Sequence, residues 1–107
     1  MTFGLGELEQ LILLAVIRLG DDAYGITVQQ EIAEQAGRRV TLGAVYSTLA
    51  RLEEKGLVAS RAGAPTPTRG GRSKKLYRVL PAGRSALRES LGAVRALSRG
   101  LSPQWER

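Results

Sequence analysis

The side chains of this 107-residue chain that could act chemically are mostly cationic and lie in its second half. Residues 1 to 54 carry a net charge of −4, whereas residues 55 to 107 carry +10. Between Lys55 and Arg88 there are nine basic residues and no acidic one. Such a run suits binding to a polyanion such as a nucleic acid. The alternative interpretation is an ordinary solvated basic surface.

The residue types that are missing exclude several kinds of chemistry. The sequence has no cysteine and no histidine, which removes disulfides, thiol nucleophiles, imidazole bases and nearly every transition-metal site. We therefore expect a protein that is not an enzyme and needs no cofactor or metal. The N-terminus has no signal-peptide pattern, and no apolar run approaches the ~18 residues of a membrane span. The sequence thus predicts a soluble, cytoplasmic protein without a membrane partner.

Two helices are predicted before the basic region. The first, from Leu5 to Leu19, is apolar on more than one face and needs cover on more than one side. Gly20-Asp21-Asp22 ends it, and we expect either aspartate to cap the next helix. That second helix is predicted from about Tyr24 to Ala36, and Gly37 ends it.

A third predicted helix has an outer face of small residues. Thr41 can cap this helix, Gly56 ends it, and Leu42, Val45, Leu49 and Leu52 share one apolar arc. Opposite that arc lie Gly43, Ala44, Ser47, Arg51 and Glu54, with Tyr46 on the flank. Small residues at the N-terminal end would let the helix enter a major groove about 12 Å wide. The alternative is an ordinary amphipathic helix with an alanine-rich wet face.

A basic β-hairpin is predicted to follow the third helix. Its strands are Leu57 to Gly63 and Lys75 to Val79, joined by a loop rich in Pro, Thr and Gly. Arg69, Arg72, Lys74 and Lys75 lie on or beside this loop, where they could follow phosphates or reach into a minor groove. Gly70-Gly71 lacks the lysine and hydroxyl of a nucleotide-binding loop.

A last helix is predicted from Pro81 to about Gly100, with apolar residues suited to packing on another helix. We expect it to pack on the first helix of a second subunit, through Leu8, Leu11, Ile12, Ala15, Leu87, Leu91, Val94, Leu97 and Leu101. The alternative is packing within a monomer. Trp105, in the tail of residues 102 to 107, could pad the dimer interface, line an effector cavity or lie on the surface.

The order of these elements resembles the PadR family of bacterial transcriptional regulators. The motifs that carry the resemblance are Leu5-Gly6, Tyr24-Gly25-Ile26, the run from Gly43 to Val58, the run from Gly70 to Val79, and Ala82-Gly83-Arg84. The resemblance implies a mainly α fold with a small β-hairpin, in which residues 1 to 80 form a winged helix-turn-helix and residues 81 to 101 a dimerisation helix. It also implies a homodimeric repressor, and a small-molecule effector at the dimer interface is a partner that the family often has.

The sequence therefore predicts a sequence-specific regulator that binds a pseudo-palindromic operator in double-stranded DNA as a homodimer. The predicted DNA-binding residues are Thr41, Gly43, Ala44, Tyr46, Ser47, Arg51, Arg69, Gly70, Gly71, Arg72, Lys74 and Lys75. The cations would hold phosphates, and the small helix face would read DNA shape and thymine methyl groups. The alternative function is non-specific binding of RNA or chromosomal DNA, against which the scarcity of aromatic residues argues.

Overall fold

The computed structural model of the protein describes residues 4–65 and 73–101. These residues form a mainly helical fold with one antiparallel β-hairpin, which confirms the predicted fold class. The elements are α1 (Glu7–Leu19), α2 (Gly25–Ala36), α3 (Leu42–Glu54), β1 (Val58–Pro65), β2 (Ser73–Val79) and α4 (Pro81–Ser98), with a 3-10 turn at Gly20–Asp22. Trp105 lies outside the described residues, so its three predicted placements stay open.

The core is built around α1, which contacts α2, α3, β2 and α4. Ile12 and Leu13 of α1 are fully buried, as are Val28 of α2 and Leu49 of α3. Burial of each such side chain contributes about 1.5–3 kcal/mol. The wide apolar surface of α1 is therefore covered largely within one protomer.

This arrangement corrects part of the predicted dimer surface. Ile12 is 0% exposed and Ala15 is 4% exposed, so neither offers surface to a second subunit, and their prediction as dimer contacts is wrong. Leu87, which is 5% exposed, belongs to the same core, so its prediction as a dimer contact is wrong for the same reason. Leu8, Leu11 and Leu91 are half-buried against it, whereas Val94, Leu97 and Leu101 are exposed.

Local hydrogen bonds set where the helices begin and end. Thr41 Oγ1 accepts a hydrogen bond from Ala44 N at 3.1 Å, which confirms the predicted cap of α3. The predicted aspartate cap of α2 is wrong, because Tyr24 is the capping residue and its amide donates to Thr27 Oγ1 at 3.0 Å. The two aspartates instead lie in the 3-10 turn. Gly37 ends α2 with a φ of 65°, a conformation that favours glycine.

The hairpin is joined to both the helices before it and the helix after it. Its register pairs Val58 with Val79 and Ser60 with Tyr77, and the amide of Tyr77 donates to the Ala23 carbonyl at 2.8 Å. Pro81 is the first residue of α4, as predicted. Both strands are therefore held at a fixed position beside α1 and α3.

Candidate nucleic-acid interface

The outward face of α3 is small and uncharged over its first two and a half turns. Gly43, Ser47 and Ala50 are exposed, whereas Val45, Thr48, Leu49 and Leu52 of the same helix are buried. Ser47 Oγ donates to the Ala44 carbonyl at 3.3 Å, which leaves its oxygen free to accept. At these three positions the exposed groups are backbone, methyl and hydroxyl, and the longer exposed side chain beside them is that of Tyr46.

Tyr46 fixes the contact between α3 and the N-terminus of α2. A Cβ added at Gly25 would lie 2.4 Å from Tyr46 Cζ and 2.6 Å from its hydroxyl oxygen, so only glycine leaves room for this ring. The side chain is nevertheless 44% exposed. Its phenol therefore stands at the surface beside the first turn of α2, where free amides give a helix positive partial charge.

A buried carboxylate holds the C-terminal end of α3. Glu9 Oε2 accepts a hydrogen bond from Lys55 Nζ at 2.8 Å and lies 3.6 Å from Arg51 Nε. Its other oxygen, Oε1, accepts from Gly6 N at 3.0 Å. Burial alone would raise the pKa of Glu9, but the hydrogen bonds from Lys55 and Gly6 and the charges of Lys55 and Arg51 outweigh it and lower the pKa. Glu9 is therefore ionised at neutral pH.

The wing is attached to α3 and α2 through polar side chains. Glu53 Oε2 accepts from Ser60 Oγ at 2.6 Å, and Glu53 Oε1 lies 3.7 Å from Lys75 Nζ. Lys74 Nζ lies 4.3 Å from the centre of the Tyr24 ring, a cation–π distance. Glu53 thus contacts both strands, and each of the two lysines has a partner on the helix-turn-helix.

The structure places the predicted site residues in two groups. Thr41, Gly43, Ala44, Tyr46, Ser47 and Arg51 lie on or at the start of α3, while Lys74 and Lys75 lie at the start of β2. Arg69, Gly70, Gly71 and Arg72 lie outside the described residues. The sequence did not indicate that Glu9 contacts Arg51 and Lys55, or that Glu53 contacts Ser60 and Lys75. For Glu9 a signal existed, because it shares the spacing of the buried Ile12, Leu13 and Val16 on α1.

Other features of the described residues suggest no competing chemistry. Within residues 4–65 and 73–101, no group of three or more acidic, His or Cys side chains could hold a metal ion. Nor is any helix in those ranges long and apolar enough to cross a membrane. A surface cavity of about 200 Å³ lies between α1 and α4, lined by Ile17, Arg84, Leu87, Arg88, Leu91 and Arg95.

A helix-turn-helix with an unobstructed second helix, followed by a two-stranded wing, defines a winged-helix protein. The chain belongs to the transcriptional regulator PadR-like family, whose profile matches residues 13–89. It is 38% identical over 79 residues to the transcriptional regulator Rv3488 of Mycobacterium tuberculosis, covering 74% of this chain and 69% of that protein. These matches confirm the family that the motifs indicated.

Solved structures show the same fold. A PadR family transcription regulator from Clostridium difficile R20291 superposes with a TM-score of 0.75 at 24% identity, over 95% of this chain and 100% of that one. Bacillus subtilis PadR in complex with operator DNA gives a TM-score of 0.66 at 23% identity. That match covers 79% of this chain and 46% of the longer PadR chain.

Proposed function

We propose that this transcriptional regulator is a repressor that binds a pseudo-palindromic operator in duplex DNA as a homodimer. The observation that carries the proposal is the outward face of α3, where the small residues Gly43, Ser47 and Ala50 are exposed, with Tyr46 as the long side chain beside them. A helix with such a face can lie close to the floor of a major groove. The solved complex of Bacillus subtilis PadR with operator DNA supports this use of the fold.

In this proposal base recognition rests on few groups. The methyl group of Ala50 and the backbone at Gly43 suit contact with thymine methyl groups, and Ser47 Oγ can accept a hydrogen bond from a base amino group. Because such contacts discriminate weakly, the shape and deformability of the operator would supply part of the specificity.

Phosphate contacts would flank this face on both sides. Tyr46 stands beside the N-terminus of α2, a place where a phosphate is favoured. Lys74 lies at the start of β2, and the sequence predicts Arg69 and Arg72 as further phosphate contacts. Arg51 and Lys75 are each within 4 Å of a carboxylate, at 3.6 and 3.7 Å, so their charges are partly neutralised within the protein. We therefore assign them less of the salt-dependent affinity than unpaired cations would give.

The homodimer would form through the last part of α4 and the residues that directly follow it. Val94, Leu97 and Leu101 are 61%, 81% and 43% exposed, an apolar surface that a second subunit would cover. Residues 1 to 80 would then bind DNA and residues 81 to 101 would join the subunits. A two-fold axis would place the two α3 helices in successive major grooves, about 34 Å apart. In the cytoplasm such a dimer would block a promoter that contains its site.

A small-molecule effector has one favourable location in this proposal. The cavity between α1 and α4 combines the apolar side chains of Ile17, Leu87 and Leu91 with nearby arginines, a lining that suits an organic anion. An effector bound there would contact the helix that joins the subunits. Screening small aromatic acids for a rise in melting temperature, and then for release of bound DNA, tests this part.

Selection of bound sites from a random duplex library tests the function directly. We expect enriched sequences with two-fold symmetry, bound by two chains. The selected site should exceed a random duplex in affinity by roughly 10³-fold or more at fixed salt. A ratio near one would instead support the non-specific alternative.

Transcription in vitro from a promoter that contains the site should fall when the protein is added, and a rise would show an activator.

A variant of the α3 face adds a second test. Ser47→Gln should change the selected sequence, because a longer amide can reach adenine edges that serine cannot. Ser85→Gln, at an exposed position of α4, is the matched control and should select the original site. Identical sites for both variants would show that α3 does not read the bases.

A further inference from the structure

Glu9 is the only charged side chain in residues 4–65 and 73–101 that is buried, at 8% exposure. Burying a carboxylate lowers the stability of the fold unless its partners compensate for the lost hydration, so the partners of Glu9 matter for its role. It lies on α1, which has no residue among the predicted DNA contacts. Its cationic partners, however, lie in or directly after the helix that carries those contacts.

The Glu9 side chain joins two distant parts of the chain. Lys55, 2.8 Å from Oε2, directly follows α3, and Arg51, 3.6 Å away, is one turn earlier in that helix. Glu9 Oε1 accepts the Gly6 amide at 3.0 Å, which fixes the start of α1. Glu9 therefore links the end of α3 to the start of α1 through both of its oxygens, in addition to the apolar packing of Leu49 and Leu52.

The same N-terminal segment is attached to α4. Ser90 Oγ of α4 accepts a hydrogen bond from Leu5 N at 3.1 Å, and the Leu5 carbonyl accepts from Gln10 Nε2 at 2.9 Å. A continuous path of polar contacts thus runs from α4, through Leu5 and Gly6, to Glu9 and on to Arg51 and Lys55. It connects the helix proposed to join the subunits with the helix proposed to read DNA.

We propose that Glu9 is a positioning residue for operator recognition, which holds α3 at the angle to α4 that matches the spacing of the two half-sites. The inference rests on the proposed function. In a two-fold dimer any change in the angle of α3 occurs in both subunits. The distance between the two α3 helices then changes by the displacements of both helices together. Operator affinity depends on that separation, whereas affinity for random duplex depends mainly on charge.

The test compares Glu9→Gln with Glu7→Gln. Both remove one negative charge from the first turn of α1, but Glu7 is exposed and pairs only with Arg38 among the described residues. Each variant should bind random duplex at least as tightly as the wild type, because each loses one negative charge and releases a cation. We expect Glu9→Gln to lower the ratio of operator to random-duplex affinity about tenfold, the scale of one mismatched base pair. Glu7→Gln should change that ratio less than about twofold. Far-ultraviolet circular dichroism at the binding temperature identifies the folded variants.

A second comparison uses operators with one base pair inserted between the half-sites. The wild-type protein should reject the insertion, and Glu9→Gln should reject it less, an effect that lower stability alone would not produce. Ser90→Ala, which changes no charge, should act in the same direction and keeps the test informative if Glu9→Gln does not fold. Equal ratios and equal spacing preferences for Glu9→Gln and Glu7→Gln would overturn the inference. A wild-type ratio near one would overturn the proposed function itself.

Discussion

The contact between α4 and the base of the wing depends on the absence of a side chain at Gly83. A Cβ added there would lie 2.3 Å from the Leu57 carbonyl oxygen and 2.8 Å from Val79 Cγ1. The Leu57 oxygen already accepts a hydrogen bond from Leu80 N at 2.9 Å, so it cannot move without disturbing that bond. Gly83→Ala should therefore force α4 away from the hairpin.

The loss of stability in Gly83→Ala follows from three contributions. An ordinary carbon–oxygen contact is about 3.3 Å, so α4 must shift by about 1 Å. Such overpacking costs about 1–3 kcal/mol, and weakening the Leu80 hydrogen bond costs about 1 kcal/mol more. Replacing glycine by alanine within a helix returns about 1 kcal/mol. The free energy of unfolding of Gly83→Ala should therefore fall by about 1–3 kcal/mol.

Gly92→Ala in the same helix isolates the steric contribution. Nothing lies within 4 Å of a Cβ added at Gly92, so this variant should gain up to about 1 kcal/mol from helix propensity alone. Urea unfolding followed by circular dichroism should then separate the two variants by about 2–4 kcal/mol. All samples need the same protein concentration, because the proposed dimerisation would contribute to apparent stability. Equal stability of the two variants would refute the close approach of α4 to Leu57.

Three further predictions concern a cap, a carboxylate and the α4 surface. Thr41→Ala should lower the free energy of unfolding by about 1 kcal/mol, because the Ala44 amide loses its acceptor, and an unchanged urea midpoint would contradict this. Because the pKa of Glu9 is lower in the folded protein, its ionised form stabilises the fold above the ordinary carboxyl value of 4.5. The stability difference between wild type and Glu9→Gln should therefore hold from pH 7 to near 4.5 and shrink as the pH falls below that value, and a constant difference at lower pH would argue against it. Leu97→Glu should raise the dimer dissociation constant at least about tenfold in sedimentation equilibrium, by placing a charge in an apolar interface. Ser85→Glu should not, and equal constants would exclude this end of α4 from the interface.

Local signals in the sequence predicted the elements well. Thr41 and Gly56 bound the third helix as expected, and Gly37 and Pro81 mark a helix end and a helix start because their backbone preferences act locally. The first helix begins two residues later than predicted, at Glu7, because Gly6 is its capping residue.

Contacts between distant residues were harder to predict. Glu9 and Lys55 are 46 residues apart, so no local pattern could pair them. Ile12 and Ala15 were assigned to a dimer because the sequence does not show how many neighbours surround α1. The sequence correctly indicated that α1 is apolar on more than one face, but α2, α3, β2 and α4 of the same chain cover most of that apolar surface.

One face of α3 is buried and the other is the face proposed to read DNA, and this separation affects how the protein could evolve. Val45, Leu49 and Leu52 are buried in the core, whereas Gly43 and Ser47 are exposed, so substitutions at these two positions should cost little stability. Mutations could thus retarget the protein to new promoters one residue at a time without an unfolded intermediate. Gene duplicates of this chain could diverge in the genes they control while keeping the same scaffold.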